Sequence, residues 1–318
     1  MRLTMILIFR SLFGSLLLSL LFTTKCYAER NPIDTVELPY IALENSSKSK
    51  IIVVGSAHSK VNGILALGKS TRNLLASVSL VAFEAHPNAP PGPPPHYRVQ
   101  SYVDRDTLNR LEQLARRDRH TALMWNVVIQ TPMTPEFAAA IFFSRCIDGS
   151  KAKQALDAHR DRKNSPDHLI LDDISGAVDS TALESMFELN ELRTEKTLLG
   201  SSVMFEAGLN SALSEDGCRN YWTYASEVED LLVARKIQKL YEISWKYECL
   251  LFSCRGILSG IGFSKERNFR LAERIVTLSG AHSRLAVIVG ALHLDHRAGL
   301  ISELNERGFF EVDNNLKK

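Results

Sequence analysis

Ile51-Ile52-Val53-Val54-Gly55-Ser56-Ala57-His58 is the stretch that decides the fold. Four β-branched residues in a row, approached through the polar residues 45–50 and closed by a glycine, read as a strand buried on both faces. The same design returns near the other end of the chain, in Ala286-Val287-Ile288-Val289-Gly290-Ala291-Leu292-His293. Ligands of open α/β sheets bind beyond the carboxyl ends of parallel strands. Each motif stands at such an end: the glycine lets the chain leave the sheet tightly, and the histidine three residues on can point into the crevice.

Working outward from the first motif, residues 70–78 read as a helix carrying Leu74, Leu75 and Val78, and Leu80-Val81-Ala82-Phe83 as a second strand, ending at Glu84. Strand, helix and strand within so short a span make a βαβ unit, hence parallel strands. Six of the eleven prolines fall between Pro87 and Pro95, which excludes helix and central strand there. That segment reads as a stiff polyproline connection or as a rim over a site.

The middle of the chain has helical periodicity. Leu108, Leu111, Leu114 and Ala115 share a face in residues 104–128; Pro135 opens another helix; residues 181–213 and 225–254 read as mostly helical. The sheet pattern then returns. Ser264 is placed to cap a helix with Phe269, Ala272, Ile275 and Val276 on one face, residues 285–289 form a buried strand, and Leu300, Ile301 and Leu304 begin a helix that Gly308 can end before a last edge strand at Phe309 and Phe310. The fold class expected is mixed α/β (α+β). One central sheet is built from the N- and C-terminal segments, with flanking helices and a helical insertion over about residues 104–260.

The first 28 residues read as an export signal. Arg2 and Arg10 precede an apolar run at residues 11–22, which suits a signal-peptide core better than a membrane helix of about 20 residues. Cys26-Tyr27-Ala28 has small residues at the positions a signal peptidase reads, and the polar residues before Cys26 do not suit lipidation. Residues 29–318 are then a single mature domain, periplasmic or secreted, with no stable membrane span. Taking away Arg2, Arg10 and Lys25 leaves 35 basic and 36 acidic side chains, so the net charge of +2 becomes −1. With no long basic run, nucleic-acid binding is not expected. Four cysteines remain, Cys146, Cys218, Cys249 and Cys254; an oxidising compartment permits disulfides among them, and three pairings are open.

Glu84 directly follows an apolar strand, where a carboxylate suits a site better than a core. Two histidines and a carboxylate converging on one crevice can bind Zn²⁺, Co²⁺ or Mn²⁺ through His58, His293 and Glu84. Glu84 can equally serve as general base on a water that the histidines hold. His86 and His296 adjoin motif residues and read as supporting groups. No Gly-x-Gly-x-x-Gly, P-loop or Gly-x-Ser-x-Gly is present, so dinucleotide, nucleotide and serine-hydrolase readings lack their usual support.

Together these residues resemble the TraB/PrgY/GumN family, which includes the Tiki proteins. The resemblance is carried by Gly55 to His58, Glu84, Arg267-Asn268 opening a helix, Gly290 to His293, Gly299-Leu300 and Gly308-Phe309, which bracket nearly the whole mature chain. It implies a mixed α/β fold with a helical insertion and kinship with metal-dependent peptidases, and more remotely with erythromycin esterases and haem-handling ChaN proteins. It also implies a site of His58, Glu84 and His293, with Arg267 reaching it from a helix start to stabilise an oxyanion or anchor a substrate carboxylate. One departure is Asp295-His296-Arg297, charged where family members often have a small residue, so substrate contacts there are expected to differ.

The function expected is an exported metal-dependent hydrolase, peptidase-like, acting on a peptide or small-molecule substrate. The alternatives are a non-catalytic protein binding a peptide, a signal or haem, and a metal-independent esterase-like hydrolase. The export reading has a direct check: N-terminal sequencing of the exported protein should begin at Glu29, and a start at Met1 would mean an anchored chain instead.

Overall fold

The computed structural model describes residues 35–56, 66–87, 98–130, 135–146, 166–184, 195–252, 254 and 265–316. The export signal, His58, Ser264 and the proline-rich segment beyond Pro87 lie outside these residues. The strands are β1 (Thr35–Val36), β2 (Tyr40–Glu44), β3 (Lys50–Ser56), β4 (Ala66–Leu67), β5 (Leu80–Phe83), β6 (Asp179–Ala182), β7 (Arg284–Gly290) and β8 (Phe310–Asn314). Strands β1 and β4 pair as a small parallel ribbon, while the other six make one sheet in the order β6-β5-β7-β3-β2-β8. The fold is therefore mixed α/β.

Within the sheet, β6, β5, β7 and β3 run parallel, and β2 and β8 are antiparallel additions. The expectation that β3, β5 and β7 share one sheet holds. Strands β3 and β5 are parallel but not neighbours, because β7 lies between them with Ala286 opposite both Ile52 and Val81. Such a central strand is covered on both faces, which is why Leu285–Val289 is an unbroken apolar run with no side chain appreciably exposed.

The helices are α1 (Lys69–Leu75), α2 (Arg105–Arg117), α3 (Arg119–Gln130), α4 (Pro135–Phe142), α5 (Pro166–Ile174), α6 (Glu195–Ala212), α7 (Glu215–Val233), α8 (Ile237–Phe252), α9 (Lys265–Ala281) and α10 (Leu300–Glu306). Residues 104–128 and 225–254, which read as helical and mostly helical, each contain one break set by local chemistry. Asp118 is extended, and its carboxylate accepts from the Thr121 N–H and hydroxyl, so it ends α2 and caps α3. Between α7 and α8, Arg235 takes the left-handed conformation, with Arg235 N–H donating to the Leu232 carbonyl and Lys236 N–H to that of Leu231. That is the usual helix-ending bond pair, with arginine standing where glycine is common.

The insertion is not wholly helical. Thr181, read as the start of a helix, lies in β6. Asp179-Ser180-Thr181-Ala182 has no apolar alternation to announce a strand; it is held by backbone pairing to the open edge of β5. A second correction concerns α9. Its inward face is Asn268, Leu271, Ala272, Ile275 and Ser279, whereas Phe269 is 45% exposed under the guanidinium of Arg307. At the far edge, β8 is bulged opposite Ala42–Leu43 and carries Glu311 and Asp313, features that discourage pairing with a further strand.

Aromatic packing ties the helices together: Phe143 stacks on Tyr221, and Phe205 meets both Phe142 and Tyr102 edge-on. Of the three open pairings, the structure has Cys146–Cys218 and Cys249–Cys254. Among the described residues no helix is long and apolar enough to cross a membrane. The Cys146–Cys218 bond closes a 72-residue span. Replacing both cysteines with serine should lower stability by about 2–4 kcal/mol in urea unfolding, chiefly by freeing the unfolded chain.

Candidate functional site

The parallel strands β6, β5, β7 and β3 all end at one edge of the sheet, and the site is built there. Pairing continues past the formal ends of β5 and β6. Leu183 N–H donates to the Phe83 carbonyl at 2.7 Å and Glu184 N–H to the Glu84 carbonyl at 3.1 Å. This extension sets Glu84 and Glu184 side by side. On the other flank, Glu84 N–H donates to the Ile288 carbonyl at 2.7 Å, which fixes Glu84 beside the end of β7.

Arg267, in the first turn of α9, lies between the two carboxylates. Its Nε is 3.1 and 2.9 Å from Glu184 Oε1 and Oε2, its Nη2 donates to Glu184 Oε2 at 2.7 Å, and the same Nη2 donates to Glu84 Oε1. The other oxygen of Glu84 accepts the Gly290 N–H at 2.8 Å. His293 Nε2 stands 3.8 Å from Glu84 Oε1. All four side chains are buried, His293 the most completely. Burial works against the charge on Arg267, and the Glu84 and Glu184 carboxylates more than offset it, holding the guanidinium above its usual pKa.

The neighbouring residue explains why an Arg-Asn pair is useful here. Asn268 Nδ2 donates to the Ala298 carbonyl at 2.6 Å, bracing the turn that follows the second motif. Gly299 in that turn has φ of +96°, and a Cβ there would come within 2.8 Å of Asn268 Nδ2. Gly55 answers to a different need: a Cβ on it would meet Ala291 Cα at 2.9 Å and Leu294 Cδ1 at 2.8 Å. Gly55 therefore packs directly against the backbone of the second motif at Ala291, and glycine is required at the contact. Ser56, the next residue, is buried and bonds through its hydroxyl to Asp167 in the first turn of α5.

Of the expected site residues, Glu84, Arg267 and His293 come together; His58 lies outside the described residues. Arg267 was expected to face an oxyanion or a substrate carboxylate. Its Nε and Nη2 donate to Glu184 and Glu84. His86 is half-buried, 3.2 Å from the Ser180 hydroxyl and edge-on to Phe83, whereas His296 is exposed. The charged Asp295-His296-Arg297 stretch acts as an anchor: Arg297 binds both Asp295 oxygens and the Gln238 carbonyl, with its guanidinium over the Tyr241 ring. Glu184 escaped the sequence reading because no apolar run precedes it. The signal was Ala182-Leu183-Glu184, which repeats the form of Ala82-Phe83-Glu84.

Without His58, which lies outside the described residues, the donors brought together here do not make a site for a divalent ion. Both oxygens of Glu84 and both of Glu184 are engaged, and the Arg267 guanidinium takes the cation's place between the two carboxylates. Among the described residues, no three His, Cys, Asp or Glu side chains are grouped to hold a metal. Compared with known proteins, the chain matches no family model, no curated protein and no solved structure.

Removing Arg267 would leave two buried carboxylates facing each other. Arg267→Met should therefore cost about 3–5 kcal/mol in urea unfolding. Adding Glu184→Leu to that variant should recover part of the loss, since the pair is directly coupled. Additive losses would show that the contact carries no such coupling.

Proposed function

We propose that the chain is an exported hydrolase of the TraB/PrgY/GumN type that cleaves a peptide or other acyl bond at the carboxyl edge of its sheet. The observation that carries this is the convergence of Glu84, Glu184, Arg267 and His293, from four separate segments, on one buried point. A core needs no such group of charges, and assembling one is costly unless it is used. The two disulfides support the export reading, since such bonds persist in oxidising compartments.

His293 is the general base in this reading. Its imidazole takes a proton from water as that water attacks the acyl carbon, Glu84 stabilises the imidazolium that forms, and the imidazolium returns the proton to the amine or alcohol that leaves as the acyl bond breaks. Glu84 is itself held in position by the Gly290 N–H and by Arg267. The 3.8 Å separation of Glu84 and His293 is longer than a hydrogen bond, and such contacts often tighten when substrate binds. Direct activation of water by His293 uses only groups that the structure brings together, with both Glu84 oxygens already engaged by Arg267 and the Gly290 N–H.

The test is hydrolysis of peptide and acyl-ester libraries by the purified protein, with and without chelator. Cleavage should survive chelation. His293→Ala and Glu84→Gln should each lower it by about 100-fold or more while circular dichroism shows an intact fold. Activity abolished by chelation and restored by Zn²⁺, Co²⁺ or Mn²⁺ would return the metal-dependent reading. Ligand binding without turnover would favour a non-catalytic binding protein.

A further inference from the structure

One face of α8 has a composition that neither the fold nor the hydrolytic site uses. Lys239, Glu242, Lys246 and Leu250 follow one another at helical spacings of three and four, so they form one stripe, and Trp245 borders it. All five are exposed, Leu250 to 50% and Trp245 to 41%, while Ile237, Leu240, Ser244, Tyr247 and Leu251 face inward. Lys236 adds another exposed cation at the start of the helix.

The charges on this face do not cancel. Glu242 is its acid, and Arg297 Nη1 approaches it at 3.6 Å from the turn after the second motif. Among the described residues, no carboxylate pairs with Lys236, Lys239 or Lys246. The face is therefore basic although the mature chain carries a net charge of −1. It also carries two large apolar side chains held out in water beside the lysines.

From this combination we infer that the exposed face of α8 docks on an anionic phospholipid bilayer. Lysines near such a surface are drawn to it electrostatically, with their ammonium groups at the headgroups and their stems along the apolar boundary. Trp245 has the flat amphipathic ring that settles at that boundary, and Leu250 adds apolar area next to it. A nucleic acid would meet the same charge but leaves Leu250 unexplained. Helix α8 packs against the turn Ala291–Leu294 that carries His293. A docked protein would thus hold its proposed site close to the membrane surface. The inference does not depend on hydrolysis, since membrane binding needs no turnover.

The experiment uses the purified protein and two sets of vesicles, one of phosphatidylcholine alone and one with an equal part of phosphatidylglycerol. The protein should sediment with the second set and not the first, and added salt should release it. Lys239→Glu with Lys246→Glu should weaken binding by about tenfold or more. Trp245→Ala should weaken it as well, and Trp emission should shift to the blue on binding in the parent and not in that variant. All the substituted positions are exposed, and unchanged thermal midpoints would confirm that the fold is intact. Failure to sediment with phosphatidylglycerol vesicles, or full binding by the doubly charge-reversed variant, would overturn the inference. So would retention on a soluble polyanion without any binding to vesicles.

Discussion

The Arg267 guanidinium between Glu84 and Glu184 is the interaction on which the site geometry depends. Each of its partners comes from a different part of the chain: Glu84 from the end of β5, Glu184 from the end of β6 and Arg267 from the start of α9. Buried charges are a weak source of net stability, because taking them out of water offsets most of what their attraction returns. They are, however, intolerant of misplacement. A one-residue slip of β6 along β5 would carry Glu184 away from Arg267 and leave charge unpaired in the interior. The triad therefore fixes register where β6, with its polar sequence and exposed side chains, has little apolar pattern to fix it.

The same arrangement organises the second motif. Glu84 fixes the Gly290 N–H, Asn268 braces the turn at Ala298, and Gly55 lets β3 approach Ala291. Arg267 and Asn268 are consecutive, so the first turn of one helix holds both the carboxylates and the chain that carries His293. Arg297 secures that turn from the opposite side through Gln238 and Tyr241. His293 is thus placed by contacts from β5, α9 and α8, the degree of constraint that the general base proposed above requires.

Much of the sheet was legible because its central strands are apolar runs closed by Gly or Glu. β3, β5 and β7 announce themselves, and a shared strand-then-motif pattern predicts one sheet. Their order was not legible, since nothing local to β7 says that it lies between β3 and β5. β6 was missed for the opposite reason: three of its four residues are polar, and backbone pairing alone recruits them. At the site, Glu84, Arg267 and His293 were recognisable from motif positions. Glu184 was not, because it follows that unannounced strand, and with it went the partner that receives Arg267 Nε. Phe269 was placed inward by spacing, but the ring rests outside under Arg307, where a cation covers its face.

The central place of β7 has a consequence for how the chain is made. Strands β3 and β5 are separated by the width of a strand that is synthesised some 200 residues later. Until residues 284–290 leave the ribosome, both have open edges and no completed sheet to join. Pairings of such long sequence separation form slowly, since the intervening chain must be ordered before the contacts can reward it. The sheet therefore cannot be completed until β7 is made, close to the end of the chain. It is correspondingly vulnerable if synthesis stops early: a product ending before Arg284 would keep two apolar strands with exposed edges, the form most prone to aggregate.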